Sequence, residues 1–203
     1  MPGERKSKTY SKVFMETNFK RVDVKALKDN AFKLLDNDWM LITAGNRDSF
    51  NTMTASWGTL GFLWNKPIAI AFIRPQRFTY GFVKEAEFFT LSFFTEKYRD
   101  ALNYIGNHSG RNVNKIADTG IVPVSTEHGN IYFAEARLVM ECKKLYADNF
   151  KPENFVINSL IQKIYPTGDF HWFFIGEIIQ CLSTDPLLQE RGIKLEEDSN
   201  DLI

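Results

Sequence analysis

The chain has 203 residues, with 25 Lys+Arg against 25 Asp+Glu, 44% hydrophobic residues and 14% aromatic ones. A chain of this size buries roughly 70% of the surface its unfolded form exposes, so one core without staples is within reach, and disorder, collagen-like repeats and small disulfide scaffolds are excluded. Zero formal charge excludes the basic footprint of a nucleic-acid binder, and the apolar stretches at 87–94 and 170–179 are too short and too interrupted for the ~20 residues that span a bilayer.

Residues 1–20 are basic and polar without periodicity and read as an arm outside the core; no apolar segment with the length of a signal-peptide core follows, so the expected compartment is the cytoplasm. Residues 24–35 repeat apolar side chains at Val24, Leu27, Ala31, Leu34 and Leu35, the spacing of one helical face. Residues 39–45 and 49–58 read as two strands joined by the polar turn Asn46-Arg-Asp48. The apolar run 67–73 predicts a strand buried on both faces, with Pro67 at its first position, where a missing donor matters little. Residues 74–79 lead into a helix through about 86, and 87–94 is an aromatic-rich strand.

Two helices, 96–107 and 112–118, are predicted on either side of His108-Ser-Gly-Arg111. From Tyr132 the period is two: Tyr132, Ala134, Ala136, Leu138, Met140 and Cys142 share one face, while Glu135, Arg137, Glu141 and Lys143 share a face predicted to be wet. A helix over 153–163 and a long strand over 169–182 follow, then an acidic, polar tail over 183–203. Six or seven strands without regular strand-helix alternation predict a mainly β fold, an antiparallel barrel with inserted helices, as a single domain with its core at 38–182.

Few residues are arranged for chemistry. His108, His128 and His171 have no neighbours at ligand spacing, so no metal site is expected, and no GxSxG, GxGxxG or phosphate-loop motif is present. Cys142 and Cys181 lack CxxC spacing and read as reduced, buried thiols. With 18 Phe, 4 Trp and 7 Tyr, the aromatics either fill a thick core or line a pocket for a flat ligand. In Asn51-Thr-Met-Thr-Ala-Ser-Trp-Gly58 the alternation places Thr52, Thr54 and Ser56 on one side, either a plain exposed β face or a stripe of hydrogen-bonding hydroxyls. In Arg74-Pro-Gln-Arg-Phe-Thr79 two guanidinium groups and a hydroxyl meet where a strand hands over to a helix, which suits a phosphate dianion; otherwise they are two solvated arginines at a turn.

Taken in order, Asn51–Gly58, Pro67, Arg74-x-x-Arg77-x-Thr79, 88–94, Ser109-Gly-Arg111 with Lys115, and Gly168-Asp-Phe-His171 with Ile175-Gly-Glu-Ile178 resemble the flavin reductase-like family of FMN-binding split barrels, flavoredoxins included. The resemblance covers about 38–182 and implies a Greek-key barrel, a homodimer, FMN as cofactor, and hydride transfer from NADH or NADPH to the flavin with electrons passed to an unidentified acceptor. It implies that Thr54, Ala55, Ser56 and Trp57 run along the flavin, that Arg74, Arg77, Thr79 and Lys115 hold its phosphate, and that His171 lies on the nicotinamide side. Phe170 stands between Asp169 and His171, where the family motif has none, and one residue on a strand reverses the side chain's face unless a bulge absorbs it. The cofactor carries the chemistry in such proteins, so no indispensable acid or base is expected. The alternatives are a non-catalytic flavin carrier with the same pocket and a barrel without a ligand.

Overall fold

A computed structural model describes residues 18–189. The expected arm up to 17 and the expected tail from 190 lie outside the described residues. Of the arm's remainder, Lys20–Arg21 forms a short strand, β1, and of the tail, Leu188 is buried in the core.

The expected helix over 24–35 is two pieces: a 3-10 turn at Val24–Ala26 and α1 at Ala31–Lys33, continued by a π turn at Leu34–Asp38. The cause is local. Asp23 accepts from the Lys25 amide and Asn30 from the amides of Phe32 and Lys33, so two capping side chains start two short helices where one apolar period would start a long one.

Strand β2 (Met40–Gly45) and β3 (Phe50–Ala55) form the expected hairpin. Asn46 closes it by accepting from the amides of Asp48 and Ser49. A further strand, β4 (Gly58–Leu63), was hidden because only Ser56 and Trp57 separate it from β3, and it pairs with β5 (Lys66–Ile73). Next come α2 (Phe78–Glu85), β6 (Phe88–Phe93), α3 (Arg99–Asn107) and α4 (Lys115–Thr119).

The predicted single strand from Tyr132 is two strands. β7 (Pro123–Ser125) and β8 (Ile131–Phe133) make a small hairpin, a turn at 134–137 follows, and β9 runs over Leu138–Asn149. Ala134 and Ala136 continue the apolar alternation through the turn, which is why the break left no mark on the pattern. Nor is the opposite face wet throughout: Glu141 is only 1% exposed and accepts from the Thr126 hydroxyl, the Asn130 amide and His128 Nδ1. The helix expected over 153–163 is reduced to a 3-10 turn at Pro152–Asn154 and α5 (Ser159–Ile164) before the long β10 (Trp172–Ser183).

The main sheet runs β3-β2-β6-β9-β10-β5-β4, antiparallel throughout, with β1 on the end of β10. Laid flat, seven strands at ~4.8 Å would span about 29 Å. Yet β3 and β4, at its two ends, are joined by two residues, a reach of at most about 11 Å. The sheet therefore curls until its edges approach each other, and the chain crosses the gap at Ser56-Trp57. Met40, Ile42, Phe89, Leu91, Phe93, Met140 and Phe174 belong to the larger core cluster, and a second one joins Leu41, Phe94 and Val139 to Leu102 and Ile105 of α3 and to Phe133 of β8. β2 is buried along Met40–Ala44 because it serves both clusters. At Gly176 an added Cβ would lie 2.7 Å from the Phe89 ring and 2.8 Å from the Cys142 Cβ, so the crossing of β10 over these side chains admits only glycine.

Candidate functional site

Beside the crossing at Ser56-Trp57 lies a cavity of about 370 Å³. Its walls come from the end of β3 and its continuation (Met53 to Trp57), from Phe72, Arg74, Arg77 and His171, and from α3. Five consecutive residues line it. A strand that offered one face would contribute alternate residues, so a ligand here meets the edge of β3, which closes one end of the sheet order. The hydroxyl stripe expected from the sequence does not face the cavity as a unit: Thr52 donates to Ile42 O and is buried, and Thr54 donates to Leu102 O at 2.6 Å. Ser56 alone of the three has no hydrogen-bond partner among the described residues.

Arg77 caps α2 without a side-chain capping bond; its Nη2 donates to Gly106 O on α3 at 2.9 Å. It has no carboxylate partner among the described residues, and burial lowers its pKa. Behind it Lys115 is 5% exposed and donates to Thr52 O and Ile105 O. Burial, and secondarily the charge of Arg77, lower the Lys115 pKa to about 8. Two cations beside one cavity, with no carboxylate partner among the described residues, are costly unless an anion joins them. Neither Lys115 nor Thr79 lines the cavity itself. Thr79 is buried and accepts from Asn51 Nδ2 at 2.6 Å, so it fixes the first turn of α2 against β3.

Arg74 lines the cavity but is engaged elsewhere. It pairs with Asp169, donates to Ile164 O at 3.0 Å, and lies 5.4 Å from the centre of the Tyr165 ring. Asp169 also accepts from Gln76 and from Thr167, and these donors, Arg74 first, hold its carboxyl well below the usual range. The result is a clamped segment, 164–171, which carries Tyr165 and His171.

His171 is 6% exposed, shares a 2.9 Å hydrogen bond with the Tyr165 hydroxyl through Nδ1, and lies 5.2 Å from the Trp57 ring centre. Burial first, then Arg74, lower its pKa to about 4, so it is neutral at neutral pH with Nε2 as its remaining polar atom. The extra residue Phe170 is accommodated before β10 begins, packed against Tyr165 and Phe155, and His171 still reaches the cavity.

The sequence reading missed the α3 wall: Leu102, Asn103, Gly106 and Asn107. Their i, i+1, i+4, i+5 spacing is one helical face, and its small and amide side chains were the available signal. It also missed Asp169 as the partner of Arg74. Among the described residues no group of three His, Cys, Asp or Glu could hold a metal, and no helix is long and apolar enough to cross a membrane.

The sequence matches the flavin reductase like domain family over residues 34–192. The chain belongs to this family. Solved structures similar to this flavin reductase-like chain include an FMN-binding protein from Thermus thermophilus with bound 1-cyclohex-2-enone, 21% identical over 93% of this chain and 85% of that one, with a TM-score of 0.60. A flavoredoxin of Desulfovibrio vulgaris (Miyazaki F) is 26% identical over 73% and 70%, with a TM-score of 0.56, and an NADH:FAD oxidoreductase of Streptomyces globisporus C-1027 is 18% identical over 71% and 73%, with a TM-score of 0.53. No curated protein matches the chain.

Proposed function

We propose that this flavin reductase-like chain binds FMN in the cavity beside Ser56-Trp57 and catalyses oxidation of NADH or NADPH, passing the electrons to a second acceptor. The observation that carries the reading is Arg77: a half-buried guanidinium without a carboxylate among the described residues, in a cavity that also has an exposed strand end and aromatic walls. Those residues fit a flat ring bearing a phosphate. FMN, when bound, supplies the hydride-accepting atom.

In this proposal the edge of β3 from Thr54 to Trp57 runs along the ring, and the Ser56 hydroxyl is its open hydrogen-bonding group. Arg77 takes the phosphate directly, Lys115 supports it by charge from behind, and Thr79 and Asn51 set the turn that aims Arg77. Arg74 holds the segment 164–171 in place through Asp169 and Tyr165, and so keeps His171 against Trp57. His171 is the candidate on the nicotinamide side, and as a neutral ring it orients the donor through a hydrogen bond without carrying charge. The chain acts as one domain, in the cytoplasm.

His171→Ala should slow reduction by NADH more than it weakens FMN, and the wild-type rate should show no titration of this residue between pH 6 and 8, because its pKa lies at about 4. Loss of FMN affinity with an unchanged reduction rate would remove His171 from the nicotinamide side. Lys115 gives a second pH signature. Its charge supports the phosphate below about pH 8 and disappears above it, so FMN affinity should fall as pH rises through that value while riboflavin affinity stays level. Parallel curves for the two flavins would take Lys115 out of the phosphate site.

A homodimer is also proposed. Phe62, Trp64, Val156 and Ile157 are all more than half exposed, apolar side chains that a second copy would cover. Light scattering should report twice the 23.5 kDa of one chain; the mass of a single chain would contradict the proposal.

A further inference from the structure

A second cavity, about 700 Å³, adjoins the first at Trp57 and His171. It shares Ser56, Trp57, Phe72 and His171 with the first, so these side chains form a common wall. The rest of its lining differs in chemistry. Phe32, Phe150 and Tyr165 add three rings, with Phe150 stacked on Phe72 at 5.7 Å. Among the described residues its charges are one Lys33 and one Asp36, with no arginine.

We infer that this cavity is a binding site for a flat, uncharged aromatic molecule of the quinone class. Five rings, Phe32, Trp57, Phe72, Phe150 and Tyr165, provide faces and edges for stacking with a flat ligand. The charged groups cancel, so the site offers nothing to a phosphate or diphosphate that Arg77 does not offer better next door. The volume falls in the roughly 300–1,000 Å³ range of small-molecule sites. The Tyr165 hydroxyl is taken by His171, which leaves amide and backbone donors such as those of Asn37 to meet a quinone oxygen. A ligand there lies against the same wall as the flavin of the proposed function, the place of a second reactant. That last step rests on the flavin reading; the binding itself does not.

The test is calorimetric titration with duroquinone, whose fully substituted ring cannot add to thiols, against the purified chain with and without saturating FMN. Saturable binding is expected in both conditions. Asn37→Trp, a change at an exposed position outside the flavin cavity, should fill the second cavity and abolish duroquinone binding with FMN affinity retained. Phe150→Ala should weaken duroquinone roughly 2- to 10-fold, the worth of one aromatic contact. Nicotinamide mononucleotide, which carries a phosphate, should not compete for the site. The inference is overturned if wild type does not bind duroquinone, if Asn37→Trp binds it as well as wild type, or if duroquinone is displaced by FMN or by nicotinamide mononucleotide. Failure of the flavin reading shows separately, as absence of FMN binding.

Discussion

Replacing Arg77 with alanine should weaken FMN roughly 10- to 100-fold, the worth of about 1.5–3 kcal/mol for a charge-assisted hydrogen bond, and should leave riboflavin nearly unaffected. The guanidinium has no competing carboxylate among the described residues, and its one hydrogen bond, to Gly106 O, uses a single Nη. The remaining donors are available to a phosphate. Titrating the apo-protein with each flavin reads the difference directly. A change that merely loosened α2 or α3 would harm both ligands alike, so equal losses would move the phosphate away from this turn.

Arg74→Ala should behave in the opposite way. Here FMN and riboflavin should weaken together and by little, while reduction of bound flavin by NADH slows about tenfold, the effect of misplacing an orienting group. The reason lies in the pairing: Arg74 ties Asp169 and Ile164 O to the ring of Tyr165, and Tyr165 holds His171. The pair is partly shielded, with side chains 28% and 16% exposed, so stability should also fall, by about 1–3 kcal/mol, between the values for exposed and fully buried pairs. Its pH signature has a definite sign. Asp169 is held ionised below its ordinary carboxylate range, so the wild type gains this stability above pH ~4 and loses it as pH falls further. Arg74→Ala should show a smaller acid-dependent loss, because Gln76 and Thr167 still donate to Asp169. A selective drop in FMN affinity in Arg74→Ala would instead place this guanidinium on the phosphate.

The two arginines show how far the sequence could be read. Their turn, the strand before it and the helix after it are local, and Arg74-x-x-Arg77 with β5 and α2 lies where the pattern predicts. So does the β2–β3 hairpin, whose turn is closed by the Asn46 side chain. Which arginine is available to a ligand is decided by Asp169, 95 positions away, and no local pattern carries that pairing. Lys115 is similar: its burial follows from Thr52 O and Ile105 O, contributed by β3 and α3.

Other departures had causes of both kinds, local and tertiary. Asn30 lies inside the apolar period of 24–35, which alone reads as one helix, and the capping by Asp23 and Asn30 divides it in two. Glu141 looked wet because its three donors come from the loop at 126–130, where Thr, His and Asn satisfy a carboxylate that water would otherwise hold. The α3 wall was missed because Asn103, Gly106 and Asn107 read as an ordinary polar helical face; only the packing of α3 against β3, through Thr54 and Leu102 O, turns that face towards the cavity.

A flavin in this cavity that accepts a hydride is the central proposal. The direct measurement is the visible absorption spectrum of the chain saturated with FMN, followed under anaerobic conditions after addition of NADH or NADPH. A bound-flavin spectrum that bleaches on addition of either nucleotide, faster than free FMN does, is the predicted result. FMN that fails to bind, or a bound-flavin band that persists with both nucleotides, would contradict it, the second outcome leaving a flavin carrier without nicotinamide chemistry.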